Sequence, residues 1–359
     1  MKRVRVRAVS VPLKRPIVSK VGLFDRWPVV LIDLEMDDGV IGTSYLEPYL
    51  HNAARYVAPA IHDLVDAFKE RPIGHAAFFD QARKSLSLIG LEGVSMIAVS
   101  GIDMALWDAA AKRAELPLAE FLGGTLGGVK AYNSGGLWLS DPDGQGDEAK
   151  ALVAEGGFQG LKLRLGRDRL TDDLRALDEV RSGIGEDVNL MVDFNQGLSL
   201  DRAIHLCQAL DDAGLYWFEE PIPYEQIAGF KELRRRLKTP IQIGENFYGP
   251  GIAADAILRS ACDFIMPDMM RIGGVTGWLR TAAIASAQGV PMSTHLYPEI
   301  SAHLMRVTPT AHWLEWQDWA DPIVAHPFTL EDSEIQIPDR PGIGISWNED
   351  AVKDFLYEI

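Results

Sequence analysis

The sequence predicts an α/β protein: a modified (β/α)8 TIM barrel beneath an α+β N-terminal capping domain. Two observations predict it. From Ala131 onward, short apolar runs alternate with amphipathic helical stretches through eight successive units. Before that point, strand-like segments come first and helical ones follow, the order of an α+β unit.

The first strands are Val4 to Val11 and Val29 to Glu35, and Asp37-Asp38-Gly39 is a hairpin turn signal leading into Val40 to Leu46. The basic start, Met1 to Arg7, runs into the alternation Val4, Val6, Ala8, which reads as a strand rather than a signal peptide. From His51 to Leu122 the pattern is helical, and Ser95 to Ala114 is alanine-rich. The glycines between Gly123 and Gly128 mark an inter-domain connection. They form no phosphate loop, because no strand precedes them and no Lys-Ser/Thr follows.

The barrel strands fall at Ala131–Tyr132, Leu161–Leu165, Leu190–Val192, Leu215–Phe218, Ile241–Ile243, Phe264–Met266, Val290–Met292 and His312–Leu314. Helical stretches such as Thr171–Ile184, Leu200–Ala213 and Thr276–Gln288 separate them. The expected division is a capping domain over 1–125, a catalytic barrel over 126–325, and a C-terminal segment over 326–359 that packs back on the cap.

Composition narrows the partners. No apolar run reaches the ~18 residues of a membrane helix, so no membrane partner is expected. A net charge of −16 repels phosphate backbones and argues against nucleic acid. An anionic substrate would then need a cation in the site to reverse the local field. Cys207 and Cys262 have no metal or redox spacing and sit in apolar helical contexts. They read as buried free thiols, consistent with a reducing, cytoplasmic location.

Chemistry-bearing residues recur just after the apolar runs. Lys162 and Arg164 lie in the second strand, Asp193 and Asn195 follow the third, and Glu219 the fourth. Glu245 follows the fifth, Asp268 the sixth, His295 the seventh and Glu315 the eighth. The C-terminal ends of barrel strands converge on one mouth. Asp193, Glu219 and Glu245 repel one another there unless a cation sits between them. The alternative is three separately salt-bridged surface acids. An all-oxygen set without His or Cys favours a hard ion, Mg²⁺ first, with Mn²⁺ or Ca²⁺ as the alternatives. Lys162 and Arg164, two apart on a strand, share a face. Asp268 beside His295 would fix the imidazole tautomer and raise its basicity. Together these parts suit removal of the proton next to a carboxylate. The metal stabilises the enediolate that results, and a protonated Glu315 donates to its oxyanion.

The stretches Lys162-Leu163-Arg164, Val192-Asp193-Phe194-Asn195, Glu219-Glu220-Pro221, Gly244-Glu245-Asn246, Pro267-Asp268 and His295 resemble the enolase superfamily, mandelate racemase subgroup. The likeness runs along nearly the whole chain. It is closest at Arg271 to Trp278 and from Glu299 to Glu315. The superfamily uses a Lys or His base with Mg²⁺ at an ene-diolate. The resemblance implies metal ligation by Asp193, Glu219 and Glu245, a His295–Asp268 dyad as acid/base, and Glu315 as electrophile. It implies that Lys162 contacts the substrate carboxylate and that Asn195 lies near the substrate hydroxyl. It places Ser134, Phe24, Glu47, Tyr49 and Gln317 at the substrate, and the loop Val18–Trp27 over it. It also implies a homo-oligomer, an octamer or a dimer.

One departure stands out. The subgroup's namesake carries Lys-x-Lys on the second strand, with the second lysine as a base, and here that position is Arg164. Arginine, with a pKa above ~12, is a poor base, and a racemase needs a base on each face. Glu47 and Gln317 stand where the namesake has apolar side chains, and buried polar groups there suit a hydroxylated substrate. Phe24, Trp27 and Trp316 pull toward an aromatic one. The expected activity is Mg²⁺-dependent dehydration of an acid sugar, a small-molecule carboxylate. Racemisation or epimerisation of a 2-hydroxy acid such as mandelate is the alternative. A hydrolytic barrel would want histidine ligands, and a non-catalytic one would not need the dyad.

Overall fold

The computed structural model describes the chain except for Lys20, Val21, Glu70, Pro72, Ile73 and Ile359. The N-terminal alternation folds as an antiparallel sheet in the order β1-β2-β3, made of β1 (Arg3–Ser19), β2 (Gly22–Glu35) and β3 (Ile41–Leu46). β1 and β2 are much longer than the apolar pattern indicates. Their ladder runs from Arg3 opposite Glu35 to Ser19 opposite Gly22, with a register shift between Pro12 and Ile17. Pro12 and Pro16 cannot donate to a ladder, which accounts for the break. The segment expected as a loop, Val18–Trp27, is therefore the end of a strand hairpin. Lys20 and Val21 within it lie outside the described residues.

Four helices follow: α1 (Ala54–Phe68), α2 (His75–Ser85), α3 (Val94–Arg113) and α4 (Leu118–Phe121). By length and composition α3 could cross a membrane, contrary to the sequence reading, but most of it is buried. It is a core helix, apolar all round because sheet and helices cover it on every side. It lies so close to β3 that a Cβ on Gly42 would stand 2.0 Å from the Ala105 carbonyl oxygen. Gly42→Ala is expected to destabilise the protein by about 1–3 kcal/mol, because backbone must move to admit the methyl. Denaturant unfolding measures it, and an unchanged midpoint would contradict this packing.

The barrel strands are β4 (Gly128–Asn133), β5 (Gly160–Arg164), β6 (Asn189–Asp193), β7 (Phe218–Glu219), β8 (Ile241–Ile243), β9 (Phe264–Ile265) and β10 (Leu314–Trp316). Neighbours from β4 to β9 pair in parallel, and β10 pairs with β4 to close the ring. The crossovers carry α5 (Gln145–Ala154), α6 (Leu170–Ile184), α7 (Leu200–Leu210), α8 (Ile227–Arg236), α9 (Pro250–Leu258), α10 (Met269–Ile272), α11 (Gly274–Gln288) and α12 (Pro298–Met305). The expected seventh strand, Val290–Met292, is reduced to single bridges from Met292 to Ile265 and Ala311 and from His295 to Asp268. Pro291 has no N–H to give to a longer ladder. The barrel floor is an aromatic plug of Tyr132, Trp217 and Trp313 with Met191, all buried.

The tail departs from expectation in its first part. A hairpin of β11 (Thr329–Glu331) and β12 (Glu334–Gln336) pairs antiparallel with β4, so it extends the barrel rather than the cap. Ile335 is fully buried there, opposite Val129. Only the later part reaches the N-terminal unit. Tyr357 N donates to Ala8 O at 3.1 Å, and Ile343 N donates to Asp108 Oδ1 at 2.7 Å. Arg7 pairs with Glu349 in α13 (Glu349–Phe355) at 2.6 Å. Cys207 and Cys262 are free and buried.

Candidate active site

Parallel strands in a closed ring end on one rim. A cavity of about 510 Å³ opens there, walled by strand-end residues and by side chains of the cap hairpin. Asp193 closes β6, Glu219 closes β7, and Glu245 follows β8. Each of the three offers an oxygen within 4.8 Å of the others. All three are buried. Burial, with repulsion from Glu245, raises the Asp193 pKa against the pull of Lys162. Burial first, and then repulsion from Asp193 and Glu245, pushes Glu219 up to about 8 despite Lys162. Three buried carboxylates, all oxygen and facing one point, fit a hard dication. Adding Mg²⁺ to chelator-treated protein is expected to raise its melting temperature. A concentration 100-fold above Kd contributes about 2.7 kcal/mol. Differential scanning calorimetry checks this, and an unmoved transition would refute the site.

Lys162 lies between the carboxylates. Its Nζ is 2.6 Å from Glu219 Oε1, 2.6 Å from Glu315 Oε1 and 3.8 Å from Asp193 Oδ2. Burial favours the neutral amine, but Glu219, Glu315 and Asp193 outweigh it and raise its pKa. The ammonium keeps its proton.

Arg164 is tied back. Nη1 donates to the Ser134 and Gly136 carbonyls at 2.9 Å each, and Nη2 donates to Ser134 Oγ at 2.7 Å. The guanidinium stacks 4.0 Å over the Trp138 ring. Its Nε lies 3.9 Å from Asp193 Oδ2 and has no hydrogen-bond partner. It is a fixed cation.

His295 Nδ1 is 2.7 Å from Asp268 Oδ2. The other Asp268 oxygen caps α10, accepting from Met270 N at 2.8 Å and Arg271 N at 3.1 Å. Both oxygens are engaged, so the imidazole is oriented with Nε2 toward Glu245 at 3.3 Å and Glu315 at 3.9 Å. Burial lowers the His295 pKa, but Glu245, Glu315 and Asp268 together raise it to about 9. A cation that neutralises Glu245 removes the first of these three pulls. Glu315 accepts from Leu296 N at 2.9 Å. Burial would keep it protonated, yet Lys162 and His295 draw its pKa below the carboxylate range. The expected protonated Glu315 is therefore ionised here.

Asn195 sits at φ +44°. Its backbone N and its Nδ2 donate to the two Asp193 oxygens at 2.7 and 2.8 Å, which orients them. Phe24, Tyr49 and Gln317 line the cavity beside it, as does Asn195 itself. Ser134 does not; it stands behind Arg164. Glu47 is also outside the cavity wall. It is buried with its backbone N donating to Tyr297 Oη at 2.8 Å, and burial first, then Glu299 and Asp268, pushes its pKa well up.

Sequence reasoning missed Arg271, Asn246, Trp138 and Trp319. Arg271 Nη1 donates to the Glu245 carbonyl at 3.0 Å and to Tyr49 Oη at 3.3 Å. Asn246 Nδ2 bridges Glu220 at 2.7 Å and Glu245 at 3.0 Å. The signal for Arg271 was its place one turn after the capping residue Asp268. Backbone strain also concentrates here. Among the described residues eleven non-glycine residues have positive φ, and Tyr49, Leu137, Asn195, Gln196, Glu220, Leu296 and Tyr297 belong to the rim or face it. Such residues cost about 1–3 kcal/mol each and cluster at functional sites.

Residues 1–123 match the family described as mandelate racemase / muconate lactonizing enzyme, N-terminal domain, and residues 145–351 match the one described as enolase C-terminal domain-like. An enolase structure from alpha proteobacterium bal199 with bound Mg superposes at a TM-score of 0.97 with 51% identity, covering 99% of both chains. An enolase from Bradyrhizobium, complexed with magnesium and mandelic acid, superposes at 0.95 with 38% identity over 99% of this chain and 98% of that one. The L-talarate/galactarate dehydratase of Salmonella typhimurium is 35% identical over 73% of this chain, a stretch spanning 66% of that enzyme's length.

Proposed function

The chain belongs to the mandelate racemase / muconate lactonizing enzyme family of the enolase superfamily, and from that premise we propose that it dehydrates an acid sugar, with His295 as the one base. The observation that carries this reading is the state of the two second-strand cations. Arg164 is locked to Ser134, Gly136 and Trp138, and Lys162 is ion-paired on two sides. Neither is placed to accept a proton. Among the described residues His295 is the one imidazole lining the cavity.

A Mg²⁺ ion held by Asp193, Glu219 and Glu245 supplies Lewis-acid neutralisation of the substrate carboxylate. Lys162 adds a positive charge at the same carboxylate. His295 Nε2 takes the α-proton, and Asp268 stabilises the imidazolium through Nδ1–H. The C–H electron pair becomes the enediolate. When the enediolate collapses, the β-carbon–oxygen bond breaks, and the His295 proton leaves with the hydroxyl as water. The enol that remains tautomerises to a 2-keto-3-deoxy acid. The similarity to a talarate/galactarate dehydratase supports the reaction class. The free thiols Cys207 and Cys262 support a reducing, cytoplasmic setting.

A second reading is racemisation of an aryl 2-hydroxy acid. It is favoured by the Trp27, Trp138 and Trp319 rings on the cavity wall and by similarity to the mandelate-complexed enolase. Incubation in D₂O separates the two. Dehydration by a single base predicts α-deuterium exchange, with loss of water, for one configuration of the substrate. Rapid exchange of both enantiomers of a 2-hydroxy acid would overturn it.

A further inference from the structure

The aromatic floor of the barrel bonds directly to the carboxylate cluster. Trp217 Nε1 donates to Glu219 Oε2 at 2.9 Å, and both side chains are fully buried. The two residues stand on either side of Phe218, so they share a face of the strand and both point into the barrel.

The indole has little freedom in this contact. Its ring meets Tyr132 and Tyr216 edge-on, with centroids 5.4 Å away in each case. Phe264 lies at 6.1 Å and His312 at 5.9 Å. A ring packed on several sides keeps one rotamer. The backbone is pinned as well, since the Trp217 carbonyl accepts from Val192 N at 3.0 Å. An indole N–H only donates, and a buried one needs an acceptor. Glu219 is that acceptor.

On its other oxygen, Oε1, Glu219 accepts from Lys162 at 2.6 Å. One donor on each oxygen fixes how the carboxylate is turned, and lone pairs remain for an ion. Gln242 Nε2 stands farther from Oε2, at 3.5 Å. The other two carboxylates are held by residues that follow them in the chain, Asp193 by Asn195 and Glu245 by Asn246. Glu219 has no such follower. Glu220 accepts from Gly244 N and Asn246 Nδ2, and Pro221 has no donor. Its orientation is set from the floor instead.

We propose that Trp217 is a positioning residue of the metal site, whose N–H holds Glu219 in the orientation that ligates the ion. The role goes beyond the dehydration reading, because it is the same whichever reaction the ion serves. It rests on the ion site itself. Donors behind metal ligands typically carry about 10–100-fold in affinity.

The test is calorimetric titration of Mg²⁺ into the chelator-treated full-length protein, with melting temperature measured in chelator. Trp217→Phe keeps an aromatic ring and removes the N–H, and is expected to weaken Mg²⁺ binding about tenfold. Tyr132→Phe is the control from the same floor. It removes a hydroxyl that has no hydrogen-bond partner, and affinity should stay within about twofold because no bond is lost. If Trp217→Phe does not fold, 3-benzothienylalanine in place of Trp217 keeps the fused-ring shape, with sulfur where the N–H was, and the same loss is expected. A purely structural role would lower the melting temperature and leave Mg²⁺ affinity unchanged. That result overturns the proposal, as does an equal loss of affinity in Tyr132→Phe. Failure of the unaltered protein to bind Mg²⁺ would overturn the ion site and this role together.

Discussion

An enzyme with asparagine in place of His295 is expected to lose turnover by about 10⁴-fold, the upper end for removal of a general base, and to bind Mg²⁺ as before. The upper end applies because the cavity offers no other imidazole among the described residues. Lys162 carries two ion pairs, and the Arg164 guanidinium stays charged at any working pH. Asparagine keeps a polar group beside Asp268 and the Leu296 turn, so the ligands Asp193, Glu219 and Glu245 need not move. α-Deuterium exchange measures the loss, and calorimetric Mg²⁺ titration measures the retained site. Exchange within tenfold of the parent would refute the role given to His295.

Lys162→Met should have the largest effect on stability. The side chain is 1% exposed, and its ammonium separates Glu219 from Glu315, which are equally buried. Removing one partner of a buried ion pair costs about 3–5 kcal/mol, because the remaining charge has nowhere to go. In chelator the variant should lose that amount in denaturant unfolding. With Mg²⁺ present the loss should shrink, since the same ion neutralises Glu219. A variant within about 1 kcal/mol of the parent in chelator would mean that Lys162 does not carry the compensation assigned to it.

The parts of the site written in side-chain identity were legible in the sequence. Asp193, Glu219 and Glu245 recur at equal intervals after apolar runs, and a closed parallel barrel needs nothing more to bring them together. The pairing of Asp268 with His295 followed from adjacent strands in the same way. The parts that depend on backbone groups were not legible. Arg164 is held by the carbonyls of Ser134 and Gly136, and a carbonyl is present at every residue, so no residue type announces it. The ionised Glu315 depends on a 2.6 Å approach by Lys162, a distance no pattern encodes. The seventh strand failed because periodicity counts apolar residues and not N–H groups, and Pro291 lacks one. The β11–β12 hairpin reads as a strand pair from its own residues. Its partner, the first half of β4, lies some two hundred residues away in sequence, beyond the reach of local pattern.

The two ends of the chain meet in the N-terminal unit. Asp108 in α3 accepts from Thr43 N with one oxygen at 2.6 Å and from Ile343 N with the other at 2.7 Å. Asp33 on β2 accepts from Trp347 Nε1 at 2.8 Å. During synthesis the cap sequence leaves the ribosome before the barrel, and Arg7, Thr43 and Lys112 within it already bond Asp33 and Asp108, yet the Ile343 and Trp347 groups that complete their bonding leave it after the barrel. The cap therefore waits, incompletely bonded, through translation of the entire barrel, about 10–50 s at the usual rates of synthesis. The edge of β1 that later takes Tyr357 is open for that interval.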